Sequence, residues 1–353
     1  MAVSPFVNCT EISPKCPAQA HFYGYAPDLG TNLFFTIFFG LATIIHVVAG
    51  IRFRTWSFMV FLILGCLNET IGYAGRVIMH YNVWSEAGFQ IQISCLITGP
   101  AYFAAGVYLT LKHMVHNIDQ RYSRLRATWY PWIFISCDLI ALGVQGAGGG
   151  MAAAAEDGDG EDPLIKIGTN IMIAGVIFQV VVLVFFSYFL IEYFVRVFRH
   201  RDELSPSTLA TLDSPRFRWF LGGIVLAFLG IFIRCAYRIP ELVSGWGSDL
   251  MRNELDFIIL EGVMICLSTL ALTVFHPGWF FPAMTDDSFF GLIRKNRRKN
   301  KEKENSDEVQ LVTLQNGLAG EQGVHYGGSN RAEDGDGRDN DEVVKPGTGQ
   351  LST

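Results

Sequence analysis

Residues 221–242 read LGGIVLAFLGIFIRCAYRIPEL. Through Ile233 this run carries no polar side chain. Arg234, Arg238 and Glu241 then follow at offsets of zero, four and seven, which brings all three to one face of a helix. A long apolar run fits a lipid-embedded helix, because a bilayer core of ~30 Å takes ~20 apolar residues to cross. The two arginines and the glutamate are what such a helix must then accommodate.

The rest of the chain repeats the pattern. Half of its 353 residues are apolar, 28 are Phe, and only 17% are charged, against about 25% in soluble proteins. Apolar runs of spanning length lie near 32–51, 56–79, 89–111, 129–151, 168–191, 217–239 and 255–275. The predicted fold is therefore all-α: a polytopic membrane protein with seven transmembrane helices and no soluble domain between them. Residues 1–20 contain no apolar core of signal-peptide length, so the first span is expected to direct targeting.

Basic residues set the expected orientation. Arg52, Arg54, Lys112, Arg121, Arg124, Arg126, Arg196, Arg199, Arg201, Arg216 and Arg218 fall on one side, joined by the run RKNRRKNKEK at 294–303. The other side holds only Lys15, Lys166 and Arg252, together with the acidic run EDGDGED at 156–162. This asymmetry places the N-terminus outside and the C-terminus in the cytosol. The net charge of −6 averages these regions and carries little meaning alone. The basic run reads as a topology signal; no recognition pattern accompanies it, so nucleic acid is not an expected partner.

Three regions follow. Residues 1–30 form an extracellular segment, 31–284 the seven-helix domain, and 285–353 a disordered cytosolic tail. The tail is rich in Gly, Asn and acids, as in EDGDGRDNDE at 333–342, and too poor in aromatic residues to fold alone. It is open to regulatory or trafficking proteins. Asn8 heads the sequon Asn8-Cys9-Thr10, a glycosylation candidate on the outer side. Cys9 and Cys16 lie in the same oxidising segment as a candidate disulfide, a pairing that sequence leaves open. Oligomeric state is not legible.

Inside the spans, polar residues recur at a seven-residue step, which returns a side chain to within about 20° of its start. Glu69 and Arg76 are so spaced in span two, Asp138 and Gln145 in span four, and Glu254 and Glu261 in span seven. Gln92 in span three and Gln179 in span five add amides. A charge at mid-bilayer costs roughly 2.5–3.5 kcal/mol on the insertion scale, so these groups are expected to face one another or water. Two readings fit: ion pairs that lock helices together, or the lining of a cavity. On the expected topology most of the set lies in the outer half, with Glu69 and Asp138 deeper, which favours a cavity opening outward. His46 in span one is expected to face a neighbouring helix. Pro100 suggests a kink in span three, and Gly148-Gly149-Gly150 an unwound end of span four. No Cys/His metal spacing, nucleophile elbow or phosphate loop is present. No cofactor, metal or catalytic residue is expected, and an enzyme reading has no support.

Several stretches together resemble one fungal family. They are YGYAP at 23–27 with Asn32, NETIGYAGR at 68–76, Gln92 to Pro100 with Tyr108, DLIALGVQGAGGG at 138–150, Gly168 to Gln179, RCAYRIPE at 234–241, Glu254 and HPG at 276–278. In this combination and order the chain is similar to the RTA-like, or lipid-translocating exporter, family. Span three ends LKHMV, so Lys112 stands where the family pattern has a Gly-Arg pair, and span seven opens LDFIILE in place of a Tyr-rich start. The resemblance implies export or flopping of a sphingoid long-chain base or related amphiphile, resistance to toxic amphiphiles, membrane lipids as partners, and a plasma-membrane or endomembrane location. A seven-span lipid sensor that regulates membrane asymmetry is the alternative.

Overall fold

The computed structural model describes residues 16–17, 23–153, 163–245 and 248–280. Asn8, Cys9, the acidic run at 156–162 and the expected tail at 285–353 lie outside the described residues.

Seven helices are long and apolar enough to cross a membrane: Leu29–Phe53, Trp56–Tyr81, Glu86–Ile118, Trp129–Ala153, Pro163–Arg199, Pro215–Val243 and Glu254–Phe280. They are numbered here as spans one to seven. A helix satisfies its own backbone polar groups, which is why lipid selects it. Their ends follow local chemistry. Asp28, Ser85 and Ser214 accept hydrogen bonds from backbone N–H groups of the first turns of spans one, three and six, as good N-caps do. Arg54 takes a left-handed conformation, φ 56°, to close span one before the turn into span two.

Span three is the central helix: 67% of its most apolar window is buried, against 28% for spans one and four. Spans one and two pack against each other, as do two and three, four and five, and six and seven. Outward faces are apolar. Phe34, Ile37, Leu41, Ile44 and Val48 on span one, and Phe178, Phe185 and Tyr188 on span five, are exposed. Such faces belong against lipid chains rather than water. The interior is aromatic where spans three to six meet. There Tyr108 and Phe186 lie 4.5 Å apart and Phe134 and Phe186 5.2 Å apart, ring to ring.

Spans four and five approach backbone to backbone. A Cβ on Gly148 would lie 2.5 Å from the Gly168 carbonyl oxygen, and one on Gly168 would lie 2.6 Å from that of Gly148. Small residues permit this closeness and the van der Waals contact that holds membrane helices together.

One expectation needs correcting, and two features of the spans were not expected. The Gly148-Gly149-Gly150 segment is helical, and span four continues through it to Ala153; span five packs against Gly148 and Gly149. Span six runs on past Pro240 to Val243. Span seven is not a uniform helix, since Ile258–Val263 forms a π turn between two α-helical pieces.

At the end of the bundle opposite Glu254, two connections are stitched together. Tyr122 donates to Glu203, Thr208 to the Ile118 carbonyl, and Arg124 and Arg196 share Glu192. The side-chain hydrogen bond from Arg121 holds the Asp119 carboxyl below its usual range. These pairs are exposed and each contributes little, about 0–1 kcal/mol.

Gly148→Ala should lower the thermal stability of the purified protein by about 1–3 kcal/mol, since the added methyl must push spans four and five apart. Melting in detergent checks this; an unchanged midpoint would show that the two backbones are not in tight contact.

Candidate functional site

Residues 234–241 contribute three members of a buried cluster of ion pairs. Arg234 and Arg238 are 3% and 6% exposed, and Glu241 and Glu261 are 2% and 1%. Glu261 Oε1 accepts from both arginines, at 3.0 Å from Arg234 Nη2 and 2.6 Å from Arg238 Nη2. Arg238 Nη1 also donates to Glu241 Oε2 at 2.7 Å, within one turn of its own helix.

Two irregularities in the neighbouring helices build this geometry. Pro100 has no backbone N–H, so in span three the carbonyl four residues earlier, that of Leu96, is left without its helical donor. Arg234 Nη2 donates to that Leu96 oxygen. The proline thus converts a backbone carbonyl of span three into an arginine-binding group. In span seven the π turn contains Glu261. A π turn inserts one residue into the helical repeat and re-aims the residues around it, a device frequent at functional sites.

As a result Glu254 and Glu261, seven residues apart, do not share one partner. Glu254 lies at the rim, where its Oε1 is 3.6 Å from Arg76 Nη2 and accepts the Asp28 N–H at 2.7 Å. Arg76 is fully buried. Its Nε donates to Asn32 Oδ1 at 2.9 Å and its Nη2 to the Tyr25 hydroxyl at 3.3 Å, while its guanidinium carbon lies 3.9 Å from the centre of the Phe257 ring. The segment before span one thus caps this end. Tyr23 also belongs to it: its hydroxyl accepts from Gln92 Nε2 at 2.8 Å.

The remaining candidates form two pairs. Gln145 Nε2 donates to Gln179 Oε1 at 3.1 Å between spans four and five. Tyr108 donates to Asp138 Oδ2 at 3.0 Å between spans three and four. A crevice bordered by Tyr23, Gln145, Gln179, Arg234 and Arg238 separates the amide pair from the arginines. Its volume is about 10 Å³, on the scale of one water molecule. Between the amide pair and the arginines the interior is therefore closed in this conformation.

Glu69 is 1% exposed, and its Oε1 has no hydrogen-bond partner among the described residues. His46 meets a neighbouring helix as expected, through Thr273 at 3.1 Å. Cys16 is disulfide-bonded, and Cys66, Cys95, Cys137, Cys235 and Cys266 are free. Among the described residues no group of three or more His, Cys, Asp or Glu is arranged to hold a metal.

Asn32, Tyr23, Tyr25, Phe257 and the Leu96 carbonyl are site groups that polar periodicity did not pick out. Tyr23, Tyr25 and Asn32 stand in the sequence only within the stretches that resemble the family, Pro100 points to the Leu96 carbonyl, and no signal marks Phe257.

A buried set of both charge signs inside seven apolar spans defines a polytopic membrane protein with a polar interior. The chain belongs to the RTA1-like protein family, whose pattern it matches over residues 62–284. It is 31% identical to the sphingoid long-chain base transporter RSB1 of Saccharomyces cerevisiae, over 73% of this chain and 74% of the relative. The lipid-translocating exporter-like protein RTA1 of Leptosphaeria maculans is 24% identical over 88% of this chain and 60% of its own length. Protein RTM1 of Saccharomyces cerevisiae is 26% identical over 64% and 69%. No solved structure matches.

Removing one member of a buried ion pair strands its partner, at about 3–5 kcal/mol. Arg234→Ala should destabilise by that amount, because Glu261 loses one of two counter-ions and the Leu96 carbonyl its donor. Thermal or denaturant unfolding in micelles measures it; a loss below 1 kcal/mol would mean that Arg234 is not integral to the cluster.

Proposed function

We propose that this chain is a transporter rather than an enzyme, and that it exports a sphingoid long-chain base or a related amphiphile across the plasma membrane. Resistance to toxic amphiphiles follows from such export. The observation that carries this reading is the cluster of Arg234, Arg238, Glu241 and Glu261, buried in an apolar bundle. Buried charges within spans are costly and mark pathways for polar groups. A head group bearing an amine and hydroxyls finds both carboxylates and amide or guanidinium donors here. Similarity to a relative named as a sphingoid long-chain base transporter supports the same substrate class.

The crevice of about 10 Å³ is too small for a lipid head group. Transport therefore requires the helices around it to part, with Glu69, Arg76, Gln92, Asp138, Gln145, Gln179 and Glu254 as further lining groups. The N-terminus and the 152–163 connection face outward, and the segment after span seven lies in the cytosol. The second reading, a lipid sensor controlling other transporters, is favoured by the closure of the crevice, since a sensor needs a bistable bundle and not a path.

Purified protein reconstituted in phosphatidylcholine liposomes should speed the transfer of labelled sphingoid base between leaflets. Glu261→Gln, which keeps shape but leaves Arg234 without a carboxylate, should be less stable and should fail to move the base even in the fraction that folds. Equal leaflet transfer with and without wild-type protein, alongside retained binding, would select the sensor. Orientation has its own check: a tag at residue 8 or in the 152–163 connection should be reached by antibody on intact cells, and one after residue 305 should not. The reverse labelling would overturn the assigned sidedness.

A further inference from the structure

The cluster does not balance its charges. Arg234 and Arg238 supply two positive charges. Glu241 and Glu261 are both ion-paired to them and already cancel both. Arg76, the remaining buried arginine of the site, is matched by Glu254. Glu69 adds a third carboxyl to the same neighbourhood, so a fully ionised cluster would carry one uncompensated negative charge in a low-dielectric interior. A buried charge of that kind is not tolerated; it is neutralised or paired.

The surroundings of Glu69 define what can neutralise it. Span six presents Arg234 and Arg238 to it, and span seven presents Glu261. Cys95 faces it from span three, and Cys66 and Tyr73 from its own helix. Neither arginine is hydrogen-bonded to it; their bonds go to Glu241, Glu261 and the Leu96 carbonyl. Its Oε1 lies instead against Gly99, where any side chain would collide with it. The Tyr73 hydroxyl likewise has no hydrogen-bond partner among the described residues. Glu69 is 1% exposed, and its Oε1, with no hydrogen-bond donor among the described residues, can take one proton or one cation.

We propose that Glu69 is an exchange site at which a proton and the cationic ammonium head of the transported amphiphile compete. This rests on the transport reading above. On this proposal the closed bundle is the proton-loaded form: Glu69 is 1% exposed and its Oε1 lies against Gly99, which leaves no room there for an ammonium group with its chain. When the bundle opens and the head group arrives, the Glu69 O–H bond breaks and its proton passes to water on the open side. The carboxylate then pairs with the ammonium. The site is neutral before and after, so neither state leaves a bare charge in the hydrocarbon. The amphiphile leaves when a proton returns. A proton gradient is thereby coupled to the movement of a cationic lipid, and an amphiphile without a positive head group has no means to discharge the site.

The test is proton release on binding. Purified full-length protein in micelles is titrated with sphingosine, at a pH where the free amine is already charged, by calorimetry in two buffers of different ionisation enthalpy. Linkage requires about one proton released per base bound by wild type, and about none by Glu69→Gln or on addition of a long-chain alcohol. Binding by wild type without proton release, or full release by Glu69→Gln, overturns the exchange site and leaves the transport reading intact. Failure of wild type either to bind or to move the base overturns both. If Glu69→Gln does not fold, infrared difference spectra of wild type and Glu69→Asp decide instead. The band of a protonated carboxyl must vanish when sphingosine binds and must shift in the aspartate variant. A band that persists on binding, or is unmoved by the substitution, rejects the proposal.

Discussion

One carboxylate oxygen, Glu261 Oε1, receives hydrogen bonds from two arginines of a neighbouring helix. In hydrocarbon neither arginine can be left to itself, so the packing of spans three, six and seven is subordinate to keeping this contact. Leu96 contributes a carbonyl only because Pro100 withholds an N–H from it. Glu261 is aimed by a helical irregularity, and Gly99 clears the space in which Glu69 lies beside the group. The proline and the π turn are deviations from ideal helix geometry that serve the charges, and Gly99 serves them by lacking a side chain.

The polar interior has two levels. At the rim, Arg76 joins span two to the start of span one through Asn32, to the preceding segment through Tyr25, and to span seven through Glu254. Deeper, the arginines of span six tie themselves to span seven and span three. Tyr23 borders both levels, since it bonds Gln92 and lines the crevice beside Arg234 and Arg238. An opening at this end of the bundle therefore has to disturb the rim before it reaches the deeper group. That order suits a site that must be shielded from water while its charges are rearranged.

Much of this was legible in the sequence, for a definite reason. The seven spans follow from apolar runs that lipid requires, and the observed helices extend beyond the expected ranges mainly at their polar ends. The pairing of Arg234 and Arg238 with acids was legible because charges so placed must find partners. Partner choice was not. A seven-residue step places Glu254 and Glu261 on one face only if the helix keeps 3.6 residues per turn, and the π turn breaks that assumption. Backbone acceptors are invisible to side-chain patterns, so the role of the Leu96 carbonyl was missed. The glycine triplet was misread as an unwound end because its partner backbone, around Gly168, lies on another span. An outward-opening cavity is an expectation from polarity alone, and in the described conformation several of those polar groups bond one another.

The separation of these groups along the chain also bears on how the protein is made. Arg234 leaves the ribosome 27 residues ahead of its acidic partner, so for a time it has no counter-ion, whereas Arg238 already has Glu241 in its own helix. Glu69 and the Leu96 carbonyl are already in place by then, whereas Glu261 is not. Span six should accordingly be a poor substrate for insertion by itself and enter stably only as a hairpin with span seven. A chain halted between the two would hold Arg234 in the membrane without the carboxylate that later pairs with it.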